Sequence, residues 1–147
     1  MKSIARWMLL TAMTLTSLAS DAAGPSGLNA RDARAIRAVI EAQLDAMAAD
    51  DEARAFSFAS PSIRMQFDDA SSFMTMVRQG YPMLIGPTET LFSQPRTVEE
   101  DAMQVVRLRD RDGRPWLATY DLQRQPDGTW RINGCLVEPD HTDDTLT

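Results

Sequence analysis

Two short stretches, Asp110-Arg111-Asp112-Gly113 and Gln125-Pro126-Asp127-Gly128, constrain this chain more than any other feature. Each reads as a type I turn closed by a left-handed glycine, the geometry of a three-residue hairpin loop. Such loops set register. Residue 110 then faces 114 and residue 125 faces 129, and the pairing of three consecutive strands follows from those two contacts.

Around these turns the apolar residues recur with a period of two. Four strand-like runs follow Pro87, at about 88–98, 102–109, 116–124 and 129–137. Propagating the two turns gives one face with Leu108–Trp116, Val106–Ala118–Leu136, Gln104–Tyr120–Gly134 and Ala102–Leu122–Ile132, with Arg124 beside Trp130. Two Trp, a Tyr and most branched aliphatics assign that face to the core, with Gly134 leaving room for the Tyr120 ring. The opposite face carries Val105, Leu117, Cys135 and Val137 as an apolar patch, with Asp101, Asp121, Asn133 and Arg131 toward its other end. A patch of that kind is either a homodimer interface or a half-exposed sheet face.

Upstream the period is helical. Asn29 is a good N-cap, and Ile36, Val39, Ile40, Leu44 and Met47 place one amphipathic helix over residues 30–48. Asp50-Asp51 caps a shorter helix with Phe56 and Ala59, Ser60-Pro61 starts a brief turn with Ile63 and Phe67, and Asp69 or Ser71 starts a last helix through Phe73, Met76 and Val77. Gly80 followed by Tyr81-Pro82 ends it. Helices followed by antiparallel strands give an α+β class: N-terminal helices packed in the concave face of a bent antiparallel sheet of about four strands.

Both ends read differently. Lys2 and Arg6, the apolar run Trp7–Leu15 and the small residues before Ser20-Asp21-Ala22 read as an export signal over residues 1–22. The expected localisation is periplasmic or secreted, with no membrane association after signal removal. Residues 23–29 read as a flexible lead-in, 30–138 as a single domain, and 139–147 as an acidic, disordered tail.

Composition narrows the chemistry. No lysine follows Lys2, so no Schiff-base lysine lies in the domain. One histidine, His141, and one cysteine, Cys135, cannot build a His/Cys metal cluster within a chain. No phosphate-cradling glycine loop is present, and a formal net charge of -6 without a basic patch makes a poor nucleic-acid binder. No cofactor or metal is expected, and no catalytic residue is assigned.

The stretch Asp127-Gly128-Thr129-Trp130-Arg131-Ile132 resembles an ending found in the nuclear-transport-factor-two-like, or cystatin-like cone, superfamily. More specifically, Ala35–Phe56, Phe73–Pro82, Gln104–Leu108 with Asp112-Gly113, and Trp130–Cys135 resemble the bacterial domain of unknown function 4864 family. The resemblance covers about residues 33–138 and implies the cone fold, with no reaction attached. On the register above, Tyr120, Gln104, Tyr81, Trp116, Trp130 and Phe73 would line the cone's cavity, with Gln104 and Tyr81 orienting a ligand's polar end; the alternative is a filled core in which Gln104 is the hydrogen-bond partner of Tyr120. The expected function is a non-catalytic module that binds a small apolar ligand there or pairs with a second copy through Val105, Leu117, Cys135 and Val137. The alternative is a cone-fold enzyme, isomerase or hydrolase-like. It would need a carboxylate inside the cavity, and Asp121 would enter only through a bulge. Cys135, expected outside the cavity with no base beside it, reads as a packed thiol or as a bridge across a dimer.

Overall fold

The structure, a computed structural model, describes residues 27–142. Residues 1–22, expected to be an export signal, and the last five residues of the expected tail lie outside them. Helix α1 spans Ala30–Ala48, α2 Glu52–Ser57, α3 Pro61–Arg64 and α4 Ala70–Gly80, followed by a 3-10 turn at Pro82–Leu84. Each α-helix opens on a side-chain cap. The acceptors are Asn29, Asp51, Ser60 and Asp69, each bonded to the amide three residues on, so the orphan amides of the first turn are satisfied locally. Leu28, expected in the flexible lead-in, is 9% exposed and packs into the core.

Strands β1 (Glu89–Phe92), β2 (Arg96–Val98), β3 (Asp101–Arg109), β4 (Pro115–Arg124) and β5 (Trp130–Pro139) form one antiparallel sheet. The expected first strand is broken in two. Both β1 and β2 pair with β3, and Ser93-Gln94-Pro95 separates them. Proline 95 cannot donate to the ladder there. Five strands therefore stand where about four were expected.

Both hairpin turns have the expected geometry. Asp110 N donates to Arg114 O at 3.0 Å and Gln125 N to Thr129 O at 2.8 Å. Gly113 and Gly128 take φ of 78° and 84°, conformations that suit glycine. The β3–β4 register matches expectation throughout, from Ala102↔Leu122 to Arg109↔Pro115.

The β4–β5 register does not. Arg124↔Trp130, Gln123↔Arg131 and Leu122↔Ile132 pair as the turn dictates, but Asp121 then pairs with Gly134, leaving Asn133 as a bulge. Beyond the bulge every β5 side chain changes face. Cys135 now pairs with Tyr120 and Val137 with Ala118 on the core side, while Leu136 pairs with Thr119 and is 62% exposed. Two expectations are corrected. Cys135 and Val137 do not share the outer face with Val105 and Leu117. Gly134 does not make room for Tyr120 either: it lies opposite Asp121, and an added Cβ would meet only Asp121 Cβ, at 3.9 Å.

A neighbouring segment holds the bulge in place. The chain between α2 and α3 runs beside β5, with Ile132 N donating to Phe58 O at 2.9 Å and Ser60 N to Ile132 O at 2.8 Å. The buried Ser60 hydroxyl accepts from Ile63 N at 3.2 Å and donates to Asn133 Oδ1 at 2.7 Å, and Asn133 Nδ2 reaches Asp121 Oδ2 at 3.2 Å. One serine thus caps α3 and pins the bulged residue. At its far end β5 continues through Pro139. Asp140 N bonds Pro115 O at 3.1 Å, and its carboxylate pairs with Arg107 at 3.2 Å. The start of the expected tail is therefore folded against the sheet. Ile36, Ile40, Met74, Val106, Ala118 and Leu122, each under 2% exposed, form the core between helices and sheet.

Candidate functional site

Between the helices and the core face of the sheet lies an apolar cavity of about 330 Å³. Its size falls at the lower end of the roughly 300–1,000 Å³ typical of ligand sites. α1 contributes Gln43 and Met47, α3 and the turn after it Ile63 and Phe67, α4 Phe73, Met76 and Val77, and the sheet Tyr120, Ile132 and Cys135. Phe67 and Phe73 meet edge to face at 5.5 Å between centroids, and Phe56 stands 5.3 Å from Phe73. This aromatic cluster stiffens the helical wall.

Of the six cavity residues expected from the sequence, Tyr120, Tyr81 and Phe73 line this cavity. The other three are elsewhere. Gln104 is buried and stands beside Tyr120 in the ladder, but its amide donates to Ser93 O at 2.8 Å and Val105 O at 2.9 Å. It satisfies the broken edge between β1 and β2 and is not the partner of Tyr120. Trp116 is tied to the first hairpin turn, its Nε1 donating to Asp110 Oδ2 at 2.9 Å. That bond, more than any other contact, lowers the Asp110 carboxyl below its usual range. Trp130 opens β5 opposite Arg124, the last residue of β4, under the Arg124 guanidinium at 4.6 Å and with its Nε1 3.4 Å from Asp32 Oδ1. Both tryptophans clamp hairpin ends.

Gln43, Met47 and Cys135 are among the wall residues not expected there. Gln43 sits one helical turn from Ile40 and Met47. A polar residue inside an apolar helical stripe is the signal that would have found it. Its Nε2 donates to Ala55 O at 3.1 Å. Cys135 left no such signal, because it enters only through the bulge.

The deepest polar group is the Tyr120 hydroxyl. The residue is 1% exposed and its Oη has no hydrogen-bond partner. Burial holds the phenol neutral well above its ordinary range, and the adjacent Cys135 thiol acts in the same direction. Tyr120 and Cys135 therefore lie against each other without a hydrogen bond of ordinary geometry. Burial pushes the Cys135 thiol up to about 12, with the Tyr120 hydroxyl opposing in part. At neutral pH it is a protonated, weakly nucleophilic thiol.

No Asp, Glu, Arg or His among the described residues lines the cavity. Asp121 stays on the outer face, because the bulge lies in β5 and leaves the β3–β4 register intact. Asp101 is the one described carboxyl raised above its usual range, through partial burial first and then the charges of Asp121, Glu100 and Glu99. It too alternates to the outer face. The carboxylate that acid–base chemistry would need is therefore not among the described lining residues. No group of His, Cys, Asp and Glu among the described residues has metal-site geometry.

The sequence matches the family described as domain of unknown function (DUF4864) over residues 29–145. This chain belongs to that family. The match takes in all four helices and the whole sheet of the DUF4864 domain. No curated protein matches the sequence. Among solved structures, the domain is similar to an NTF-2-like protein of unknown function from Silicibacter pomeroyi DSS-3, at 14% identity and a TM-score of 0.43, covering 73% of this chain and 94% of that one. It is also similar to an NTF-2-like protein of unknown function from Burkholderia xenovorans LB400, at 13% identity and a TM-score of 0.40, covering 78% and 94%.

Proposed function

We propose that this DUF4864 domain is a binding module that holds a small apolar molecule in the cavity between its helices and its sheet. The observation that carries the reading is the combination of an apolar cavity of about 330 Å³ with a deeply buried, unpartnered hydroxyl carried by one of its lining residues, Tyr120. A buried hydroxyl without a partner is costly, and a ligand that accepts from it removes the cost. Native mass spectrometry of protein purified from its own source tests this. The expected result is a co-purifying small molecule that leaves on mild denaturation. Protein at its apo mass that also takes up no added apolar compound overturns the reading.

A second proposal concerns the outer face of the sheet. Leu91 and Leu136 are each 62% exposed there, on the side where Val105 and Leu117 also lie. We propose that this face pairs with a second copy, now through Leu91, Val105, Leu117 and Leu136, with Cys135 and Val137 turned inward. Export through residues 1–22 belongs to the same proposal, and the N-terminal sequence of the mature protein checks it: a start near Ala23 is expected, and Met1 retained in the mature chain contradicts it.

A further inference from the structure

The cavity is polar at few points, and each has a defined chemistry. Gln43 has committed an amide hydrogen to Ala55 O at 3.1 Å. Tyr81 and Gln66 also line the cavity, Tyr81 half-buried and Gln66 exposed to solvent. The Cys135 thiol is a weak donor. That leaves Tyr120 Oη as the one strong donor that is fully buried and has no partner. Among the described residues the lining also carries no charge of either sign. An anion placed here would lose its water without gaining a cation, and a cation would meet no carboxylate. For size, an apolar cavity of about 150 Å³ holds one benzene, and this one is roughly twice as large.

We propose that the cavity selects an uncharged molecule of one or two rings that carries a carbonyl-type acceptor oxygen, and that Tyr120 donates to that oxygen. The inference rests on the binding reading above and adds the ligand class to it. The rings lie against Phe67, Phe73 and Met76, where their contacts are apolar. The oxygen points at the sheet and takes the hydrogen bond that Tyr120 makes with nothing else. Selectivity against charged analogues comes from desolvation and needs no further residue.

Equilibrium dialysis against three matched probes tests it, with wild-type protein and Tyr120→Phe: 1-acetylnaphthalene, naphthalene and 1-naphthoate. The expected result is that the wild type binds the ketone about tenfold more tightly than the hydrocarbon, the worth of one good neutral hydrogen bond. Binding of the naphthoate is weaker than either. Tyr120→Phe removes the ketone's advantage and leaves naphthalene binding unchanged, which a merely misfolded variant would not do. Naphthalene binding with no preference for the ketone overturns the ligand class and leaves the binding reading standing. Naphthoate binding more tightly than the ketone overturns the preference for an uncharged ligand. Uptake of none of the three overturns the binding reading and this inference together.

Discussion

At the scale of single residues, Tyr120 and Cys135 have opposite meanings for stability. The Tyr120 hydroxyl is buried without a partner, so its removal loses no protein hydrogen bond. Tyr120→Phe should leave the unfolding free energy unchanged or raise it by up to about 1 kcal/mol. Urea denaturation checks this, and a loss above about 1 kcal/mol would show that the hydroxyl has a partner. The Cys135 thiol is held protonated by burial, from an ordinary 9.0 to about 12. The folded state keeps its proton where the unfolded state releases it. Its stabilisation is therefore full below pH 9 and is lost as pH rises from 9 toward 12. Relative to Cys135→Ala, the wild type should lose about 1 kcal/mol between pH 8 and pH 10. Parallel stability curves for the two proteins would place the thiol in solvent. Gly134 takes no left-handed φ and has room for a Cβ. Gly134→Ala should be neutral or stabilise by roughly 0.4–1 kcal/mol through the unfolded chain.

At the scale of elements, the bulge at Asn133 decides which residues face the cavity. Its anchor is the bond between Ser60 Oγ and Asn133 Oδ1 at 2.7 Å. Ser60→Ala removes that bond and the α3 cap together and should cost about 1–2 kcal/mol. A double-mutant cycle with Asn133→Ala should show a coupling of about 1 kcal/mol. Additive losses would mean that the serine acts only as a cap. The same elements show what the sequence made legible. Side-chain caps and helical spacing placed α1 at its observed bounds, the Asp112-Gly113 turn placed the whole of the β3–β4 register, and the Asp127-Gly128 turn placed the β4–β5 register as far as Leu122↔Ile132. Turn chemistry acts locally, however, and its information ends at the first irregularity. The bulge is held by a serine far away in the chain, and within β5 only the strand-interior Gly134 marks it. The break between β1 and β2 differs: Pro95 inside the expected strand marks it locally, and the amide of Gln104 satisfies the backbone there from β3.

At the scale of the whole molecule, the helices cover one face of the sheet and leave the other with exposed leucines. If that face pairs with a second copy, Leu136→Glu should convert a dimer to a monomer in sedimentation, while Val137→Ala, on the core side, should lower stability and leave the assembly intact. A monomer for the wild type at micromolar concentration contradicts the pairing. The cavity was half legible. Phe73, Tyr81 and Tyr120 follow from period and register. Trp116 and Trp130 share the core face but stand at opposite ends of the β3–β4–β5 ladder, Trp116 near the start of β4 and Trp130 at the start of β5, held by Asp110 and by Asp32 with Arg124. Face alone does not say how far along a strand a cavity extends. The central claim, that the space behind Tyr120 and Cys135 admits a small apolar molecule, is most directly tested by methyl NMR of the methionines during a titration with naphthalene. Met47 and Met76 line the cavity, Met65 is 80% exposed, and Met103 lies on the outer face. Saturable shifts at Met47 and Met76, with Met65 and Met103 unmoved, are the predicted result. Shifts at Met103 or Met65 alone, or none at any methionine, would contradict it.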